Sequence, residues 1–291
     1  MNFKQALESG KFLVTAEIGP GKGTEISRLL EDASAIKKRV DAINVTDQQS
    51  SVMRLGSLAC CHLLTDLGID PILQLTCRDR NRLALQSDLL SAWVLGVRNV
   101  LALTGDHPVM GDHPEAKGVF DLDSVSLLKV ITELNNGSDM AGNKLTGCPD
   151  FSAGAVVNPG ADTGAALDLQ IIKLEKKIAA GAKYIQTQAI YDLDLFEKFI
   201  KRVKGFDVPI LGGIILLKSA GMARFMNKNV AGVSVPDNMI KEMLDTEDKV
   251  KTSVEIAARL IKGLKDLCQG VHIMAIGWEK KIPAVLDEAG I

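Results

Sequence analysis

Eight short runs rich in β-branched and small apolar residues recur along the chain, and each hands on to a longer stretch with helical spacing. The runs are FLVTAE (12–17), AINVTD (42–47), PILQLT (71–76), NVLALTG (99–105), FSAGAVVN (151–158), YIQTQ (184–188), PILGGII (209–215) and GVHIMAI (270–276). Among the stretches between them, ALDLQIIKLEKKIAAGA places Leu167, Ile171, Leu174 and Ile178 on one face, as a 3.6-residue period requires. Strands that each feed a helix pair in parallel through right-handed crossovers. Eight such units within 291 residues predict a (β/α)8 TIM barrel, with a doubly wound open sheet as the alternative. No linker, low-complexity tract or charge block interrupts the alternation, so residues 1–291 read as a single barrel domain.

Composition removes several classes of function. Lys+Arg 34 against Asp+Glu 36 leaves no basic excess to neutralise a phosphate backbone, so nucleic acid is not the expected partner. The first residues, MNFKQALESGKFLVTAEIG, lack the layout of a signal peptide. No apolar stretch approaches the roughly 20 residues of a membrane span. The five cysteines are odd in number and form no C-x-x-C pair. That speaks against a disulfide framework and against a self-contained zinc or iron–sulfur site. A reducing cytoplasm is the expected location.

In a (β/α) barrel the chemistry is built at the C-terminal ends of the strands. Those positions carry Glu17, Thr46 with Asp47, Gln74 with Thr76, Gly105 with Asp106, Asn158 and Gln188. A barrel that is only packed has no need of an acid or amide at nearly every strand exit. Glu17 and Asp106 are the two well-placed carboxylates, and no Ser/His or Cys/His arrangement accompanies them. Proton transfer around a cofactor is therefore favoured over covalent catalysis. Thr76, Arg78, Asp79 and Arg80 read as a solvated helix start. The Gly19–Gly23 loop lacks the spacing of a phosphate-binding fingerprint. The repeated Gly-Asp-His-Pro at 105–108 and 111–114 has no third cluster to complete a metal site, and none is expected.

Taken in order, the segments TAEIGPGKG, NVTDQQSS, LQLTCRDRN, LALTGDHP, KGVFDLDSVSLLK, NPGAD, LEKKIAAGAKYIQTQAIYD and GWEKKIPAVLDEAGI resemble the methylenetetrahydrofolate reductase family over nearly the whole chain. The likeness is to the short form found in two-subunit complexes of acetogenic bacteria. It implies a barrel that binds a flavin, FAD in most members with FMN left open, and reduces 5,10-methylenetetrahydrofolate to 5-methyltetrahydrofolate. Under it, Glu17 falls on the general acid and Asp106 on the carboxylate beside flavin and pterin, both in contact with substrate. Gln188 falls on the residue that hydrogen-bonds the pterin. Thr46, Gln74, Thr104, Gly105, Asp106, Phe120, Asn158 and Lys177 fall on cofactor-contacting positions, Gln74 standing where many members have histidine. Ala220 and Trp278 replace residues with which single-subunit members contact nicotinamide, and Gln170 stands where an aspartate is usual. The electron donor implied is an iron–sulfur partner subunit in preference to NAD(P)H directly; a homo-oligomer is left open. A flavin-free folate methyl-transfer barrel and a scaffold subunit of a redox complex remain the alternatives.

Overall fold

The computed structural model describes residues 1–161 and 163–291, leaving out Asp162, the last residue of the NPGAD segment. Its eight strands close into one parallel barrel in sequence order. They are β1 (Leu13–Ile18), β2 (Ala42–Val45), β3 (Pro71–Thr76), β4 (Asn99–Leu103), β5 (Ser152–Val157), β6 (Tyr184–Ala189), β7 (Ile210–Ile215) and β8 (Gly270–Met274). The ring shuts where β8 pairs with β1, Leu13 opposite Gly270 and Glu17 opposite Met274. β4 and β8 stop short of their expected ends because left-handed backbone follows them, at Gly105 (φ 91°) and at Ile276 (φ 51°) with Gly277 (φ 86°).

Among the described residues the shell comprises α1 (Phe3–Glu8), α2 (Ser27–Ile36), α3 (Ser57–Asp66), α4 (Arg82–Val94), α5 (Ser124–Asn135), α6 (Gly164–Ala179), α7 (Leu193–Val203), α8 (Ala220–Asn229), α9 (Asp237–Asp245), α10 (Lys249–Leu264) and α11 (Ile282–Ala289). Side-chain caps start many of them: Asn81, Asp123, Thr163, Asp192, Ser219 and Asp248 each accept from a backbone N–H of the first turn. Leu174 of α6 is buried, and Leu167, Ile171 and Ile178 pack partly buried against the same core, as the period predicts.

Alternation along the strands sends every second side chain into the barrel, where they stack in layers. The lowest layer is dry: Leu13, Ala42, Ile72, Leu101, Tyr184 and Leu211, closed from below by Phe3 of α1. The Phe3 and Tyr184 rings meet edge to face, centroids 5.1 Å apart. Tyr184 reaches the axis because Gly154 faces it, and a Cβ there would lie 2.2 Å from the tyrosine ring. One step up, the layer turns polar, with Thr15, Asn44, Gln186 and His272 all buried. The step above that carries Glu17 and Gln74 to the mouth.

The run from Thr76 to Arg80 corrects the sequence expectation. It is not a solvated helix start, since Thr76 and Arg78 are both buried and α4 begins only after the Asn81 cap. The Asp47 carboxylate accounts for the difference. It accepts from Thr76 N (2.9 Å), Thr76 Oγ1 (2.8 Å) and Arg80 Nη1 (2.7 Å), drawing the segment inward.

Candidate active site

Glu17 stands at the C-terminal end of β1 with 11% of its side chain exposed. Its Oε2 accepts from Gln74 Nε2 at 2.8 Å, and His272 Nε2 approaches the same oxygen at 3.7 Å. Its Oε1 accepts a longer contact, 3.4 Å, from Gln49 Nε2. A carboxyl gripped at one oxygen by a short amide bond and only loosely at the other is suited to exchanging a proton with a molecule seated over the barrel.

Asp106 is built the opposite way. It is exposed, and among the described residues no side chain pairs with its carboxylate. Its backbone is fixed instead, its carbonyl accepting from Ser51 Oγ at 2.8 Å, while Arg78 Nη1 donates to the same Ser51 oxygen at 3.0 Å. The preceding Gly105 is required: at φ 91° an added Cβ would also lie 3.0 Å from Arg78 Cβ. The Ser51 turn is itself strained, with Gln48, Ser50 and Ser51 all at positive φ. Non-glycine residues hold such angles only where the surroundings fix them, and they concentrate at functional sites.

The other expected residues divide into two groups. Thr46 is buried at the exit of β2, and its hydroxyl has no hydrogen-bond partner. Gln74 spends its amide N–H on Glu17. Thr104 Oγ1 accepts from Ser124 N at 3.1 Å, joining the β4 exit to α5. Phe120, at φ 42°, stacks on His107 with centroids 6.2 Å apart. Across the barrel, Gln188 is half-buried, and its Oε1 accepts from Ala189 N at 3.0 Å. Asn158 has both ends of its amide engaged, donating to Ala231 O at 3.0 Å and accepting from Gly160 N at 3.2 Å. Lys177 donates to Val156 O at 2.7 Å. Burial, and secondarily Lys173, pushes its ammonium below the usual lysine range. Among the described residues no carboxylate lies within ion-pair distance of it. No hydrogen bond among the described residues joins the two groups.

The weaker motifs resolve into fastenings. Lys22 of the glycine-rich loop pairs with Asp112 of the second Gly-Asp-His-Pro, and Asp112 also accepts from Met53 N at 2.9 Å. The Lys22 hydrogen bond, then those of Met53 and His113, hold the Asp112 carboxyl well below its ordinary range. Of the positions that depart from the family pattern, Ala220 is buried at the start of α8. The Trp278 ring lies 5.5 Å from the Lys218 ammonium. Gln170 sits half-buried in α6.

Sequence reasoning missed the layer beneath Glu17. Thr15, Asn44, Gln186 and His272 sit one inward position below the strand exits and are joined by hydrogen bonds across the barrel axis. The signal was present: β1, β2 and β6 each carry polar residues at two successive inward positions, Thr15 and Glu17, Asn44 and Thr46, Gln186 and Gln188.

The family profile described as methylenetetrahydrofolate reductase matches residues 2–290. The chain is 27% identical over 237 residues to methylenetetrahydrofolate reductase 2 of Schizosaccharomyces pombe, covering 77% of this chain and 36% of that protein. It is 27% identical over 212 residues to the 5,10-methylenetetrahydrofolate reductase of Salmonella typhimurium, covering 68% and 64%. The chain therefore spans little more than a third of the fungal relative. Among solved structures it is similar in fold, with a TM-score of 0.66 and 17% identity over 99% of each chain, to an uncharacterized Clostridium thermocellum protein described as binding two copies of 5-methyl-5,6,7,8-tetrahydrofolic acid.

Proposed function

The chain belongs to the methylenetetrahydrofolate reductase family, and we propose that it is an oxidoreductase reducing 5,10-methylenetetrahydrofolate to 5-methyltetrahydrofolate at a flavin held over the C-terminal mouth of its barrel. The observation that carries the reading is the contrast between its two mouth carboxyls, Glu17 sheltered and amide-bound, Asp106 exposed and unpaired.

The residues present suit a flavin. The Thr46 hydroxyl is buried without a partner, and the Lys177 ammonium meets one carbonyl and no described carboxylate, which fits a phosphate-bearing group on that side. FAD is the proposed form, as in most of the family. When bound and reduced, the flavin supplies the hydride.

The chain's own residues manage the rest. Glu17 protonates the folate nitrogen that leaves as the five-membered ring opens, a task for a carboxyl partly removed from water. The Asp106 carboxylate favours the cationic iminium form of the substrate. Gln188 holds the pterin through its carboxamide. Together these side chains would orient the substrate for transfer. A fold neighbour described as binding 5-methyl-5,6,7,8-tetrahydrofolic acid is consistent with a folate substrate.

Ala220 and Trp278 stand where single-subunit members contact nicotinamide, so electrons are proposed to arrive from a cytoplasmic iron–sulfur partner subunit. Purified protein should release close to one flavin per chain. A colourless protein that takes up neither FAD nor FMN on reconstitution refutes the proposal.

A further inference from the structure

The polar layer below the mouth has a direction, and we infer that His272 is a positioning residue for Glu17: held as the neutral tautomer protonated on Nε2, it presents that N–H to Glu17 Oε2 and leaves Oε1 as the oxygen that carries and delivers the proton. The inference rests on the assignment of Glu17 as the general acid.

The chain of contacts starts on the far side of the barrel. Asn44 of β2 and Gln186 of β6 pair reciprocally across the axis, Asn44 Nδ2 donating at 2.9 Å and Gln186 Nε2 returning a bond at 3.1 Å. The same Gln186 nitrogen lies 3.2 Å from Thr15 Oγ1 and 3.3 Å from His272 Nδ1. Thr15 Oγ1 is itself 3.0 Å from that Nδ1. Thr15 Oγ1 accepts from Gln186 Nε2, and its own hydrogen is better placed on Nδ1 at 3.0 Å than on Val271 O at 3.4 Å, so the hydroxyl donates to Nδ1. A ring nitrogen that accepts cannot also bear the proton of a neutral imidazole, so the proton resides on Nε2.

Nε2 faces Glu17 Oε2 at 3.7 Å. That is longer than a hydrogen bond and closes with a shift of under about 1 Å, of the kind catalytic contacts make when a site fills. Oε2 then receives two N–H groups, from Gln74 and from His272, whereas Oε1 has only the 3.4 Å contact to Gln49. In the protonated acid the hydrogen belongs on the oxygen that accepts least, which is Oε1. A neutral ring also suits the task, because a charged imidazolium beside Oε2 would favour the carboxylate over the acid.

Long-range proton–nitrogen NMR of the 15N-labelled protein tests the tautomer without any substitution. The His272 ring is expected to report a protonated Nε2 and an accepting Nδ1, and an Nδ1-protonated ring or an imidazolium at neutral pH overturns the inference. Stopped-flow reoxidation of the reduced flavin by methylenetetrahydrofolate tests the consequence. His272→Leu should slow it about 10²-fold, the scale of an ångström's misplacement, with flavin content and folate KM unchanged. His272→Gln, which keeps an N–H near the Nε2 position, should restore most of the rate. If the Leu variant reacts at the wild-type rate while Glu17→Gln is slow, His272 has no positioning role and the acid assignment survives. If Glu17→Gln is also fast, the acid assignment itself fails.

Discussion

Arg80 and Arg82 lie two residues apart, each clasps an aspartate, and replacing each by methionine should give opposite results. Arg80 is 18% exposed and binds Asp47, whose side chain is fully buried. Arg80→Met fills similar space but leaves that carboxylate inside the protein without its cation. Breaking a buried pair in this way costs about 3–5 kcal/mol. The lower figure applies here because the two bonds from Thr76 remain. For 291 residues the unfolding entropy is roughly 0.6 kcal/mol/K, so a loss of about 3 kcal/mol lowers Tm by about 5 °C. Arg82 holds Asp121 with comparable geometry, Nε to Oδ2 at 2.9 Å and Nη2 to Oδ1 at 2.8 Å, but in solvent. Water and salt replace such a pair, and Arg82→Met should leave Tm within the error of the measurement. Differential scanning calorimetry of both variants decides. Equal shifts, or a larger one at Arg82, would show that burial of Asp47 does not govern the energetics of this loop.

Three other outcomes follow from the same geometry. Native protein at pH 8 should react with a thiol reagent at Cys148 alone, since burial lifts Cys60 to about 11 and Cys77 to about 12 and also raises Cys61 and Cys268; a second fast-reacting thiol contradicts this. Gly154→Ala should destabilise the barrel by about 1–3 kcal/mol through collision with Tyr184, whereas Gly164→Ala, with open space around it, should not; urea titration separates them. Burial, opposed by the hydrogen bonds of Phe3 and Asn99, raises the Asp70 carboxyl above its ordinary range. The folded state then holds that proton more tightly than the unfolded chain, so this contribution is present in acid and fades as pH rises through the raised value. Asp70→Asn should flatten the stability–pH curve across that window, and an unchanged slope rules Asp70 out as its source.

The barrel was legible because its strands are set by local composition and its helices by period, and both survive in a single sequence. Glu17, Asp106, Gln74 and Gln188 were legible because the topology sends strand ends to one face. Arg78 and Arg80 were misplaced because a charge run looks solvated until its partners are known: Arg78 donates to Ser51 and Arg80 to Asp47, each some thirty residues earlier in the chain. His272 escaped for a related reason: within GVHIMAI it reads as one polar residue in an apolar strand. Its meaning comes from Thr15, Asn44 and Gln186, which reach it only once the ring closes.

The most direct measurement of the central claim is anaerobic single turnover. Protein whose flavin has been reduced with dithionite is mixed with 5,10-methylenetetrahydrofolate, and the return of oxidised-flavin absorbance is followed beside the appearance of 5-methyltetrahydrofolate. Wild-type protein should reoxidise with one product formed per flavin. Glu17→Gln, carrying the same flavin content, should be slower by about 10²–10⁴-fold, the range for a lost general acid. Reduced wild-type flavin that folate leaves unchanged, or a Glu17→Gln variant as fast as wild type, would contradict the account.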